Sequence, residues 1–235
     1  MSNRLITCWI CGGHGTTREH RTKRSDLRSV FGNPTQADPL HYRDGAGRKR
    51  TIGSLDAKLL KSPSLICEAC NTSRTQPHDR AWEALSKWLR TRKPALAPGD
   101  IVRANRVFPS NTARQMLNVH LYFLKLFGCH ILDAGMPIDI VTFAAAIEEE
   151  KQHPNVYLKF GCNFSLRNNP IVGMSDVGGI LDNSDGSCVF ASWFYEVDRL
   201  AVNVMFAADG QKREGLVGAW HPRYGTNKLV IADFQ

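Results

Sequence analysis

Apolar positions recur at helical spacing in three stretches of the chain. Ala81, Trp82, Leu85, Trp88 and Leu89 form a stripe behind Pro77 and Asp79 that stops before Arg92. Such a stripe predicts a helix with proline in its first turn and a carboxylate near its positive N-terminal end. Asn111 to Phe127 and Pro137 to Glu149 repeat the period, the second with Asp139 near its start. Beyond His153-Pro154 the texture changes. Val156 to Phe164, Ser187 to Val197, Leu200 to Ala207 and Lys228 to Phe234 are rich in β-branched and aromatic residues, and Asn183-Ser184-Asp185-Gly186 and Asp198-Arg199 fall where turns belong. Helices followed by a mainly antiparallel sheet are therefore expected here.

The first ninety residues are patterned differently. Gly12-Gly13-His14-Gly15 reads as a tight loop, and Pro34 to Lys58 is polar, glycine-containing and weakly periodic, as an inserted loop or hairpin would be. Lys93-Pro94-Ala95-Leu96-Ala97-Pro98-Gly99 has linker composition. The expected organisation is an α+β chain with a first domain over 1–93, a linker over 94–99 and a helical plus antiparallel-sheet domain over 100–235. An apolar content of 43% suffices for a packed core. The longest apolar runs, such as Leu121 to Leu126, fall well short of the ~20 residues that a membrane-spanning helix needs. Met1-Ser2-Asn3-Arg4 opens no signal-peptide pattern. A cytoplasmic protein without a membrane partner is expected.

Charge divides the chain further. Residues 1–93 carry 18 Lys and Arg against 8 Asp and Glu, a net +10, which leaves 12 against 14, or −2, for residues 94–235 out of the overall 30 and 22. A basic folded segment suits a nucleic-acid backbone, because each neutralised phosphate releases condensed counterions. A merely solvated basic surface is the alternative. The uneven charge also suggests that residues 100–235 act as a controlling part, through a regulatory ligand, a partner protein or self-association.

Four of the seven cysteines form two pairs, Cys8-Trp9-Ile10-Cys11 and Cys67-Glu68-Ala69-Cys70. In a reducing compartment such pairs indicate metal ligation more than disulfides, and together they suit one tetrahedral Zn²⁺. Four thiolates leave no open coordination position, so that zinc would supply stability rather than chemistry. Cys129, Cys162 and Cys188 stand singly in apolar company and read as small buried hydrophobes.

Glu19-His20 lies downstream of the first pair, and Asn71 follows the second directly, ahead of Arg74, Thr75, Gln76, Pro77, His78 and Asp79. This order resembles the four-cysteine branch of the HNH endonuclease family, over roughly Cys8 to Arg92. The resemblance implies a zinc-stabilised ββα-metal fold that hydrolyses DNA phosphodiester bonds, RNA being an alternative. By position, His20 would be the general base, and Glu19 and Asn71 would hold one Mg²⁺ or Mn²⁺, with His78 completing the shell. Arg18, Arg21, Lys23, Arg24, Arg74 and His78 would contact phosphate. The family's central Asn position is Ser62 here, and Pro77 interrupts the helix that usually starts at the second cysteine pair. By the same resemblance, a phage, mobile-element or bacterial-defence setting is expected. The competing reading is a zinc-knuckle nucleic-acid-binding protein in which Glu19, His20 and Asn71 are incidental. His41, His120, His130, His153 and His221 lack partner motifs and read as structural, and Trp193-Phe194-Tyr195 reads as core ahead of a base-stacking platform.

Overall fold

A computed structural model describes residues 7–163, 170–212, 214–225 and 227–234. The N-terminal elements are β1 (Thr17–His20), α1 (Arg24–Phe31), β2 (Leu40–Arg43), β3 (Lys49–Ile52), β4 (Lys61–Ile66), α2 (Glu68–Asn71) and α3 (Gln76–Thr91). β1 pairs antiparallel with β4, and the chain between them folds α1 and a β2–β3 hairpin out to one side. The weakly periodic stretch from Pro34 to Lys58 thus holds the β2–β3 hairpin, and α1 precedes it. Pro77 sits in the first turn of α3, where a missing amide costs no hydrogen bond, and Ala81, Trp82, Leu85 and Leu89 form its buried stripe.

After β5 (Ile101–Arg103) comes α4 (Thr112–Ala134), on which the fold is built. It is buried almost continuously from Met116 to Ile131, so apolar residues lie on nearly every face. It stops at Gly135, whose left-handed φ of 64° suits a residue without Cβ. α5 (Ile140–Glu148) follows, and its Val141 amide donates to Asp139 as expected of an N-cap.

β6 (Val156–Cys162), β7 (Val172–Met174), β8 (Gly178–Leu181), β9 (Cys188–Val197), β10 (Leu200–Ala207) and β12 (Ala232–Asp233) make one sheet. Its order is β12-β6-β10-β9-β7, with β8 also on β9, and β11 (Lys228–Val230) pairs with β5. The pairings are antiparallel apart from β12 on β6. Asp198, with φ 57°, turns β9 into β10 where the Asp-Arg pair predicts a turn. Ala191, Trp193, Tyr195 and Val197 of β9 point into the core, where Trp193 stacks on Phe127 of α4. The aromatic run is core packing at Trp193 and Tyr195. Cys129, Cys162 and Cys188 are buried, as their apolar surroundings predict.

The hydrophobic core does not divide at residues 94–99. One continuous cluster holds Cys8, Ile66, Trp82 and Leu85 from before that stretch and Phe123, Phe127, Trp193 and Val204 from after it. Polar groups join the same parts. Asp26 of α1 is buried and accepts from Trp82 Nε1 of α3 at 2.8 Å and from the Tyr195 hydroxyl of β9 at 2.7 Å. Burial raises its carboxyl above the ordinary range. Among the described residues, no helix is long and apolar enough to cross a membrane.

The expectation of structural histidines holds for His120, His130, His153 and His221, which are all buried. His153 accepts from the Asn155 amide, and His221 from the Arg223 amide. Burial pushes His130, His153 and also His78 down to about 4. Between that value and the unfolded ~6.5, the unfolded chain binds protons that the folded chain refuses, so stability is complete above about pH 6.5 and falls as the pH drops. Asp26 pulls the opposite way, one group against five, since burial lowers His20 and His120 as well. At pH 5 each of His78, His130 and His153 is expected to cost on the order of 2 kcal/mol. Urea unfolding at pH 7 and at pH 5 checks this: an unchanged midpoint would contradict neutral burial of these rings.

Candidate metal centre and the adjoining histidine site

The two cysteine pairs converge. Cys8 and Cys11 lie on a turn in which the Gly12 amide donates to the Cys8 carbonyl, with Gly12 at φ 71°, while Cys67 and Cys70 open α2 at the end of β4. All four sulfurs lie within 4.8 Å of one another, and Cys11 and Cys67 are 3.6 Å apart. A tetrahedral Zn²⁺ with bonds of about 2.3 Å needs sulfurs about 3.8 Å apart, so the donor set fits zinc in number, chemistry and spacing. Cys67 Sγ caps α2 by accepting from the Cys70 amide, and that bond lowers its thiol to about 7, whereas burial raises the Cys70 thiol. Trp9, between the first two cysteines, packs against α4 at Gly128, where a Cβ would come within 2.6 Å of the indole. The metal knuckle is therefore seated on the central helix.

Beside this cysteine cluster stand β1, β4 and the α2–α3 helical segment. Between β1 and β4 the register jumps from Arg18↔Leu65 to His20↔Lys61, so four steps on β4 answer two on β1. This bulge contains Ser62-Pro63-Ser64, and proline is tolerated there because the ladder is already interrupted. Ser62 does not reach across the hairpin as the family's Asn would. It is buried and donates to Asp133 in the last turn of α4 at 2.7 Å, and the Ser64 amide donates to the same carboxylate at 3.0 Å.

His20 ends β1 beside the bulge, half-buried, with Nε2 3.0 Å from the Leu55 carbonyl of the insertion. A carbonyl only accepts, so Nε2 carries the proton and Nδ1 keeps its lone pair. Burial lowers the pKa of His20 below its ordinary value, which holds the ring neutral at physiological pH. The orienting group is a backbone carbonyl inside a weakly patterned insertion, and that leaves no signal in side-chain identity.

The carboxylate next to it is already engaged. Glu19 Oε2 lies 2.6 Å from Nζ of Lys125, a fully buried residue of α4. Lys125 also donates to Thr75 Oγ1 at 3.0 Å and approaches Asp79 Oδ1 at 3.5 Å, and the neighbouring acids hold it firmly charged against the cost of burial. Asn71 donates through Nδ2 to Thr17 Oγ1 at 3.1 Å, leaving the amide oxygen as its remaining acceptor. Thr17 and Glu19 alternate with Arg18 and His20 along β1, so Glu19 turns toward α4 while His20 turns toward the insertion.

The expected phosphate contacts divide. Lys23 pairs with Asp79 and Glu83, Arg24 with Asp56, and Arg74 with Glu148 of α5. His78 corrects an expectation: it is buried at 0% exposure with neither ring nitrogen hydrogen-bonded, shut off from a phosphate at the surface by the packing of α3. Among the described residues, Arg18 and Arg21 have no carboxylate partner, so they remain the cations beside His20 that are free to meet an anion. Sequence reasoning passed over Leu55 and Lys125, the latter hidden as one polar position in an apolar helix.

Zinc analysis of the purified chain is expected to give one ion per molecule, lost in Cys67→Ser or Cys70→Ser together with a drop in melting temperature; full thermal stability in excess chelator would exclude a structural metal. Lys125→Met removes the partner of two acids and is expected to cost about 3–5 kcal/mol in denaturant unfolding, whereas a loss under 1 kcal/mol would mean that the buried pair holds nothing.

No protein-family model matches the chain, and neither a curated protein nor a solved structure matches it, so the reading of the site rests on its own geometry.

Proposed function

We propose that the chain is an HNH-type endonuclease that hydrolyses DNA phosphodiester bonds, with His20 as general base and zinc on Cys8, Cys11, Cys67 and Cys70 as scaffold. The observation that carries this reading is the state of His20. Its ring is neutral, its tautomer is set by the Leu55 carbonyl, and its basic Nδ1 lies at the edge of a thiol-clamped ββα unit. A neutral imidazole held in one tautomer is ready to take a proton without rearrangement. In the proposed step a water oxygen bonds to phosphorus, its proton passes to Nδ1, and the bond from phosphorus to the leaving oxygen breaks. Arg18 and Arg21 supply unpaired positive charge for the phosphate.

The resemblance also assigns Mg²⁺ or Mn²⁺ to Glu19 and Asn71. Asn71 has an amide oxygen to offer, but Glu19 is held by an ammonium at 2.6 Å, and that charge would repel a second cation. The residues as folded do not fit a divalent ion at Glu19, and no step is drawn through one. The same ion pair favours the second reading, a zinc-knuckle module that binds nucleic acid without cutting it.

Plasmid nicking by the zinc-loaded chain separates the two, with Mg²⁺ or Mn²⁺ present or left out. Nicking by the wild type is expected, together with its loss by at least ~100-fold in His20→Ala at unchanged DNA affinity. Cleavage that survives in His20→Ala would remove the base from its role, and binding without nicking under every condition would establish the second reading. Since the pKa of His20 lies below its ordinary value, the nicking rate is expected to be flat above about pH 6.5 and to fall only in more acid solution.

A further inference from the structure

Between the insertion and the C-terminal sheet lies a cleft of about 930 Å³ whose walls are α1, β2 and β7. Its apolar floor includes Leu27, Ile52 and Leu60, which pack as a small cluster apart from the main core. Phe31 and Tyr42 line it, and Phe31 remains 37% exposed although it is a large aromatic. Arg21, the residue after His20, lines it as well. Among the described residues the Arg21 Nε is buried without a hydrogen-bond partner and its guanidinium belongs to none of the ion pairs. A buried, unsatisfied guanidinium nitrogen is costly unless a ligand completes it. Arg43, on the same wall, also lacks a carboxylate partner among those residues.

We propose that this cleft receives one unpaired nucleotide of the nucleic-acid strand that passes His20: the base packs against Tyr42 and Phe31, and Arg21 takes the adjoining phosphate. This rests on the endonuclease reading for its location, although the cleft binds whether or not the chain cuts. An aromatic-lined space with a forked cation at its edge meets both halves of a nucleotide, the π-face and the anion. A space of about 930 Å³ is of the size that takes a small ligand, so a base must be unpaired or drawn out of its stack to enter it. The lining is mixed in charge, Arg21 and Arg43 against Asp38, Asp44 and Asp176, so the anion is met locally at the Arg21 fork and not by a general positive field.

The experiment uses the full, zinc-loaded chain and a fluorescein-labelled single-stranded tetranucleotide, with binding read by anisotropy. Tyr42→Ala and Arg21→Gln are each expected to weaken binding by about 10-fold or more. Val172→Met tests the space itself: Val172 lines the cleft and packs on the Leu27, Ile52 and Leu60 cluster, so a longer side chain there takes up part of the space and is expected to weaken binding of the ligand. It changes no charge, which separates occupancy of the cleft from general attraction to a basic surface. Unchanged binding by both Tyr42→Ala and Val172→Met would overturn the proposal even if the wild type nicks plasmid. Binding lost in both, by a chain that never nicks, would uphold the cleft and sink the nuclease reading instead.

Discussion

A charge in the middle of an apolar helix sets the terms for the rest of the molecule. Lys125 is 1% exposed, and an ammonium so placed persists only where anions and lone pairs replace its water. Glu19 from β1, Asp79 from α3 and Thr75 from the turn before α3 supply them. The three come from different elements, so satisfying one cation fixes where the hairpin strand and the long amphipathic helix lie against α4. The thiol cluster fixes a second point of the same hairpin, since Trp9 lies on Gly128 less than one helical turn further along α4. Asp133, one turn beyond Gly128, holds the bulge of β4 through Ser62 and Ser64. Three contacts along one helix thus position the strand pair that ends in His20.

Much of this was open to reading in the amino-acid order, and the parts that were not share a cause. Periodicity located α3, α4 and α5 and the principal strands, because a stripe or an alternation is a local property that follows from burying one face. The cysteine spacing announced four sulfurs that would meet. Partner choice across long separations leaves no such mark: Glu19 looks like a metal ligand until Lys125, over a hundred residues away, is seen beside it. The same holds for Asp26, which nothing in the local pattern marks as the buried acceptor for Trp82 and Tyr195. The linker at 94–99 was legible as composition. That one core extends to both sides of it depends on packing between residues far apart in the chain.

The histidine site shows the two kinds of information side by side. Cysteines and the Glu-His pair mark its neighbourhood, while the orientation of the ring is settled by a main-chain carbonyl and a strand bulge, which any of several residue types could provide. Tautomer and basicity, the properties that would matter for chemistry, therefore belong to the backbone of the insertion. Changes to that loop that preserve every charged residue would still alter what His20 can do.

The seating of Trp9 on Gly128 has one more consequence. Because the metal knuckle touches the central helix directly, there is no surface along which the N-terminal part could be lifted away intact. Cut after residue 93, it would bare the indole, the acids that face Lys125 and the face of α3 that lies on α4. The strand pair and its cysteine cluster are in that sense an edge of a single folded body, and they stand or fall with the helix beneath them.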